Sequence, residues 1–184
     1  SIIDINKKSN QPFTDKKKRY FLVFNGEIYN YLEIKKQLIN EGIKFETKSD
    51  TEVLFRLLIL KGIKETLSII RGMFSFIFFD YKKKQFYGAR DHFGQKPFYY
   101  HKSKNEFLAS TNIKPIFKNV KKKSITLNKD SINQYLCSSG IISPTKTFFK
   151  GISTLPAGSY ITANNKGFAI KKYFQPIDLF KKKK

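Results

Sequence analysis

The stretch Met73 to Phe79 reads Met-Phe-Ser-Phe-Ile-Phe-Phe, and it constrains the chain more than any other segment. It shows no alternation between polar and apolar residues. That is the pattern of a strand buried on both faces. The segments on either side of it differ in kind. Upstream, Tyr20 to Phe24 is a short aromatic and aliphatic run that reads as a buried strand, closed by the turn dipeptide Asn25-Gly26. Asn30 then offers a helix cap with Glu33 at the capping-box position, and Tyr31, Ile34 and Leu38 share one helical face up to a C-terminal cap at Gly42. Lys44 to Thr47 reads as a short strand. Ser49 and Glu52 form a second capping box ahead of Val53, Leu54, Leu57, Leu58 and Leu60, with an end near Gly62 and a helical turn at Thr66 to Ile70.

Downstream the period is shorter. Gln85 to Arg90, Pro97 to His101 and Glu106 to Ala109 read as strands of an antiparallel meander, with the lysine run Lys82 to Lys84 as a solvated turn. Ser124 to Leu127 reads as a strand and Asp130 to Leu136 as a helix in which Ile132 meets Leu136. Ser159 to Ala163 and Phe168 to Tyr173 flank Asn164-Asn165-Lys166-Gly167, a hairpin signal. Strands, helices and more strands in this order give an α+β chain with antiparallel sheets.

Composition narrows the function classes. The 184 residues are 40% hydrophobic and 16% aromatic, which supplies a core and excludes a disordered tail. No apolar run approaches the ~20 residues that span a bilayer, so no membrane role is expected. The N-terminus shows neither a signal pattern nor an initiator Met, and a cytoplasmic setting fits. One cysteine, Cys137, and two histidines exclude an internal disulfide and give no metal site. The 36 basic residues outnumber the 14 acidic ones for a net charge of +22. The lysines fall in short runs between apolar segments, as a solvated surface does, so specific nucleic-acid binding is not expected.

Three segments carry chemistry. Phe24-Asn25-Gly26-Glu27-Ile28-Tyr29-Asn30-Tyr31 places an amide side chain and a backbone N–H at a strand end. They are either a tight turn or two donors for a developing oxyanion. In Lys48-Ser49-Asp50-Thr51-Glu52-Val53, the carboxylate of Asp50 stands at a helix N-terminus, as a cap or as an acceptor for a substrate ammonium. In Ala89-Arg90-Asp91-His92-Phe93-Gly94-Gln95-Lys96-Pro97-Phe98-Tyr99-Tyr100, Arg90 and Asp91 read as a salt bridge that braces a hairpin. His92 and His101 read as surface positions without partners, and Cys137 as a packed small residue.

In this order the three segments resemble the class II glutamine amidotransferase domain of asparagine synthetases. Ser1-Ile2-Ile3-Asp4, Gln11-Pro12, Arg71-Gly72-Met73-Phe74-Ser75-Phe76, Phe149-Lys150-Gly151-Ile152 and Leu155-Pro156-Ala157-Gly158 extend the resemblance over about 1–176. Residues 177–184 are left as a basic linker or a cut end. Amidotransferases for amino sugars and purine precursors share the Asn-Gly and Ser-Asp-Thr-Glu elements. The Gly-Glu-Ile-Tyr-Asn, Lys-Pro-Phe-Tyr-Tyr and Leu-Pro-Ala-Gly wordings look more like asparagine synthetase.

The resemblance implies a four-layer αββα sandwich of the N-terminal-nucleophile hydrolase type, here incomplete. It implies that a terminal cysteine attacks glutamine, forms a thioester and frees ammonia. Asn25 (side chain) and Gly26 (backbone N–H) would form the oxyanion hole, and Glu27 and Asp50 would hold the α-amino end of glutamine. ATP and Mg would serve a C-terminal synthetase domain, which converts aspartate through β-aspartyl-AMP, and this chain itself would hold no cofactor. The family's nucleophile would precede Ser1, as would the arginine that grips the substrate carboxylate. Ser1 falls on an interior strand of the family and is not the nucleophile. Thr111-Asn112-Ile113-Lys114 departs from the family's Ser-Glu. The chain alone is expected to hydrolyse no glutamine and to be poorly stable. Alternatives are a dead amidotransferase-like domain used for protein contacts, and an amidotransferase for another acceptor. Oligomeric state, a homodimer included, stays open.

Overall fold

The computed structural model describes residues 11–104, 106–120, 125–138, 140, 143–177 and 180. The segment Ser1-Ile2-Ile3-Asp4, the runs Lys121 to Lys123 and Lys181 to Lys184, and the start of the strand expected at Ser124 lie outside them.

The described elements run β1 (Phe13–Thr14), β2 (Tyr20–Ile28), α1 (Tyr31–Asn40), α2 (Asp50–Ile69), β3 (Gly72–Asp80), β4 (Gln85–Arg90), β5 (Tyr99–Lys102) and β6 (Phe107–Ser110). They continue with α3 (Ile113–Asn119), β7 (Thr126–Leu127), α4 (Lys129–Cys137), β8 (Phe149–Lys150), β9 (Ser153–Thr154), β10 (Ser159–Asn164) and β11 (Gly167–Lys172). One sheet has the order β1-β2-β3-β4-β10-β11 and a second the order β6-β5-β9, while β7 pairs with β8.

Strand parity builds the layers. Phe74, Phe76 and Phe78 of β3, with Leu22, Phe24 and Ile28 of β2, pack on Ile34, Leu38, Val53, Leu54, Phe55, Leu57 and Leu58 of α1 and α2. The opposite face of the same sheet, through Ile77, Phe86 and Ile161, packs with Phe98, Tyr100, Phe107 and Ala109 around the second sheet. That sheet's outer face, through Tyr99 and Leu108, packs with Ile113, Ile116, Phe117 and Val120 of α3 and with Ile152. Helices, sheet, sheet and helix therefore stack as four layers. Each side chain buried in these layers adds ~1.5–3 kcal/mol of transfer free energy.

Helix ends follow the sequence in part. α2 breaks at Gly62, which takes φ 71° and ψ 176° inside the helix, so a helix to Gly62 and a separate turn were both legible. Gly42 takes φ 85° past the end of α1. Asn30 sits at the N-cap of α1 but makes no side-chain capping bond. Its amide instead donates to Ile69 O (3.0 Å) and accepts from Arg71 N–H (2.8 Å), tying α1 to the α2–β3 connection. Lys44 to Thr47 is not a strand, because the N–H groups of Glu46 and Thr47 are taken by the Glu52 carboxylate (3.1 and 2.7 Å).

Three further expectations are corrected. β4, β5 and β6 do not form one meander. The chain between Arg90 and Tyr99 leaves the first sheet, and β5 pairs with β6 and β9 in the second. His101 is buried, its Nδ1 2.6 Å from Gly151 O and its Nε2 3.9 Å from Glu106. His92 is enclosed by the rings of Phe74, Tyr173 and Phe174. Cys137 is exposed on α4 rather than packed, and Leu136 beside it is exposed as well. The hairpin of β10 and β11 forms as read, with Asn164 Oδ1 accepting from Lys166 and Gly167 N–H.

Candidate active site

The register of β2 with β3 stays regular to its end. Asn25 faces Ser75, Gly26 faces Phe74, Glu27 faces Met73 and Ile28 faces Gly72. Asn25-Gly26 therefore lies inside a strand, and the tight turn suggested by that dipeptide does not form. β3 offers ladder partners to both residues, so the turn moves on to Tyr29-Asn30. Glycine is required here for a close approach to β3. Gly26 takes φ 142°, and a Cβ on it would collide with the Met73 carbonyl oxygen and lie 2.7 Å from Phe74 Cα. Gly72 mirrors it, since a Cβ there would collide with the Glu27 carbonyl oxygen.

Antiparallel strands direct their N–H groups alternately toward and away from the partner. Tyr29 N–H donates to Arg71 O at 2.7 Å, on the β3 side. The N–H groups of Phe24, Gly26 and Ile28 thus face the other edge, which β1 covers only at Phe21 and Leu22. Gln11 stands in for a strand at Phe24, accepting its N–H and donating to its O, both at 2.7 Å. Ile28 N–H donates to Asp50 Oδ2 at 3.1 Å. Gly26 N–H lies between these two side-chain caps, and among the described residues no loop or side chain accepts from it.

The four residues singled out in the sequence come together at this corner. Asn25 is exposed and Glu27 half-buried, and both lie on the face opposite the Phe24 and Ile28 side chains. Asp50 is the first residue of α2 and only 2% exposed. Burial pushes the pKa of Asp50 up, the N–H groups of Ile28 and Thr51 hold it down, and the charge of Glu27 pushes it up again, for a net rise above the ordinary carboxylate value. Glu27 and Asp50 are thus electrostatic neighbours, and neither has an ion-pair partner among the described residues. Ser49 caps α2 through Glu52 N–H (3.3 Å), while the fully buried Glu52 carboxylate meets Arg56 at 3.0 Å.

Arg90 and Asp91 do not form a salt bridge. The Arg90 guanidinium donates to three carbonyls, those of Lys96 (2.7 Å), Leu155 (2.8 Å) and Gly94 (2.7 Å). The buried Asp91 carboxylate accepts from Phe93, Gln95, Lys96 and Phe74 N–H at 3.1, 3.0, 2.9 and 3.3 Å. A cation on carbonyls and an anion on amides hold the crossing between the sheets. Sequence reasoning missed Gln11 as a stand-in strand and Ser75 as a buried hydroxyl. A lone serine in a run of phenylalanines was the available signal for the second.

A cleft of about 690 Å³ lies at the other end of the sandwich, between Phe107, Lys166 and Phe168. A second of about 490 Å³ lies beside β1, near Lys17, Phe55 and Arg56. Neither contains Asn25, Gly26, Glu27 or Asp50.

The two facing sheets with helices outside them define the fold class of N-terminal-nucleophile hydrolases. A family model described as a glutamine amidotransferase domain matches residues 1–174, and the chain belongs to that family. It is 34% identical over 177 residues to glutamine-hydrolysing asparagine synthetase 1 of Bacillus subtilis, over 95% of this chain and 27% of that protein. It is 33% identical over 161 residues to amidase chry2 of Gibberella zeae, over 88% of this chain and 23% of that protein. The solved glutamine phosphoribosylpyrophosphate amidotransferase of Bacillus subtilis, complexed with ADP and GMP, shares the fold, with a TM-score of 0.61 at 19% identity over 91% of this chain and 32% of that one. The chain thus spans about a quarter to a third of these proteins. Among the described residues, no helix is long and apolar enough to cross a membrane.

Proposed function

We propose that this chain is the part of a glutamine-hydrolysing asparagine synthetase that frees ammonia from glutamine. The observation that carries this reading is the β2–α2 corner, where two outward donors stand beside two carboxylates that have no cation partner among the described residues. Attack on the side-chain amide of glutamine builds negative charge on its oxygen. The Asn25 amide and Gly26 N–H donate to that oxygen, and Glu27 and Asp50 attract the α-ammonium. Glu27 is the more open of the two carboxylates, and Asp50 also anchors β2 to α2 through Ile28. The attacking thiol would come from a cysteine that starts the complete polypeptide. Cys137 is exposed on α4, a helix braced at Thr147 and Phe148 rather than at β2.

The ammonia would be used by an ATP-dependent step on aspartate, giving asparagine, glutamate, AMP and diphosphate. ATP and magnesium would be held outside these residues. Among the described residues no three His, Cys, Asp or Glu side chains gather to hold a metal. A second reading, an amidotransferase with another acceptor, is favoured by the comparable likeness to an amidase. Assay of the complete polypeptide with aspartate, ATP and either glutamine or ammonia tests both. Asparagine formed with glutamine as the nitrogen source, together with glutamate, supports the first reading. Glutamate release without asparagine turns the assignment to another acceptor, and no glutamate release refutes both.

A further inference from the structure

Ser75 is the one hydroxyl in the run Met73 to Phe79, and the fold buries it completely. Its Oγ has no hydrogen-bond partner among the described residues. A buried hydroxyl without a partner is costly and uncommon. Its position gives it a use. Ser75 shares the inter-sheet face with Ile77, which packs against the core around Phe98 and Ile161. It lies directly opposite Asn25 on that face. Directly opposed residues hold their Cβ atoms about 5 Å apart. One staggered rotamer of Asn25 therefore brings its Oδ1 within hydrogen-bond reach of the Ser75 hydroxyl.

We propose that Ser75 is a positioning residue for the Asn25 amide, its hydroxyl donating to Asn25 Oδ1 while Asn25 Nδ2 donates to the substrate oxyanion. The proposal rests on the reading of Asn25 as an oxyanion donor. A carboxamide has two ends of nearly the same shape, and only the Nδ2 end can donate. An exposed Asn25 whose plane no described residue holds presents either end. Developing charge on the substrate draws Nδ2, and the serine hydroxyl is free to rotate and donate to Oδ1. The resulting series, from Ser75 O–H through the amide to the oxyanion, is polarised in one direction. Hydrogen bonds in such a series strengthen one another. The hydroxyl is thus unpartnered at rest and partnered when the amide works.

The test is Ser75→Ala in the complete polypeptide, alone and combined with Asn25→Ala. The change removes one oxygen and introduces no clash. Glutamine-dependent kcat should fall about three- to tenfold, the effect of losing one hydrogen bond, with KM for glutamine within about twofold. Ammonia-dependent turnover should hold, Tm should not fall because the hydroxyl removed is unpartnered at rest, and Ser75→Ala should cost nothing further once Asn25 is Ala. An unchanged kcat in Ser75→Ala while Asn25→Ala is impaired overturns the positioning role and leaves the Asn25 reading standing. A loss of the same size in the Asn25→Ala background, or with ammonia, overturns it as well, because Ser75 would then act elsewhere. An Asn25→Ala variant with normal glutamine turnover removes the reading of the site, and the positioning role falls with it.

Discussion

The corner between β2 and α2 and the crossing between β4 and β5 use similar residues to opposite ends. Both place glycines and carboxylates beside strand ends. At the crossing the Arg90 and Asp91 charges are both spent on the backbone, with Arg90 holding three carbonyls and Asp91 four amides. At the corner the groups are left over. Asn25 is exposed, Gly26 N–H faces an edge that β1 does not reach, and Glu27 and Asp50 have no ion-pair partner among the described residues. Saturated polar groups fix a shape, whereas unsaturated ones are free to meet a ligand. The difference lies in how the hydrogen bonds are distributed rather than in residue type, so two motifs of equal prominence in the sequence end in different surroundings.

The largest effect that would break this comparison is kinetic. Asn25→Ala in the complete polypeptide should lower glutamine-dependent kcat by ~10²–10³, as loss of one oxyanion donor does. Ammonia-dependent turnover and Tm should stay close to the parent values. Equal loss with both nitrogen sources would make the corner structural.

The crossing should respond in the opposite way. Asp91→Ala leaves the N–H groups of Phe93, Gln95 and Lys96 without their acceptor, and it should destabilise the fold by at least about 2 kcal/mol. Denaturant unfolding measures this. Full stability with selectively lost glutamine turnover would move the site to the crossing.

Asp50 sharpens the comparison because it belongs to both kinds of group. Asp50→Asn should raise KM for glutamine more than it lowers kcat, since an ammonium is bound in ground and transition states alike. It should also change the pH dependence of stability. The raised folded pKa means that the folded chain binds more protons than the unfolded one above about pH 3.9. Stability should therefore fall as pH rises from there through the folded pKa, and Asn at this position should abolish that slope. Identical slopes in the two proteins would contradict the burial argument.

The smallest effect is at His92. Burial among aromatic rings, with Arg71 adding repulsion, lowers its pKa below the ordinary value of about 6.5. The unfolded chain then takes up the proton first, so stability should be lost as pH falls below about 6.5. His92→Phe should flatten that loss by a fraction of the Asp91 effect, read by thermal unfolding between about pH 5 and 7.

Much of this was legible in the chain. Ser49 with Glu52 marked the start of α2, Gly62 marked its break, and the phenylalanines of Met73 to Phe79 marked the strand covered by helices on one side and a sheet on the other. What stayed hidden depends on partners distant in sequence. Asn-Gly reads as a turn until β3 supplies a ladder, and Asn30 reads as a cap until Ile69 and Arg71 approach its amide. Pro97 to Ala109 reads as a continuation of one sheet because local pattern carries no record of which sheet a strand joins. His101 looked solvated because Gly151, fifty residues away, is its partner. Of the candidate site, the residue types were legible, but the distinction between spent and open groups was not.

The most direct test of the open corner is the structure of the complete polypeptide with L-glutamate, the product of the proposed glutaminase step. The account expects the ligand's γ-carboxylate oxygen at Gly26 N–H and the Asn25 amide, with its α-ammonium toward Glu27 and Asp50. Glutamate seated in the cleft between Phe107 and Phe168, with the β2–α2 corner empty, would contradict it.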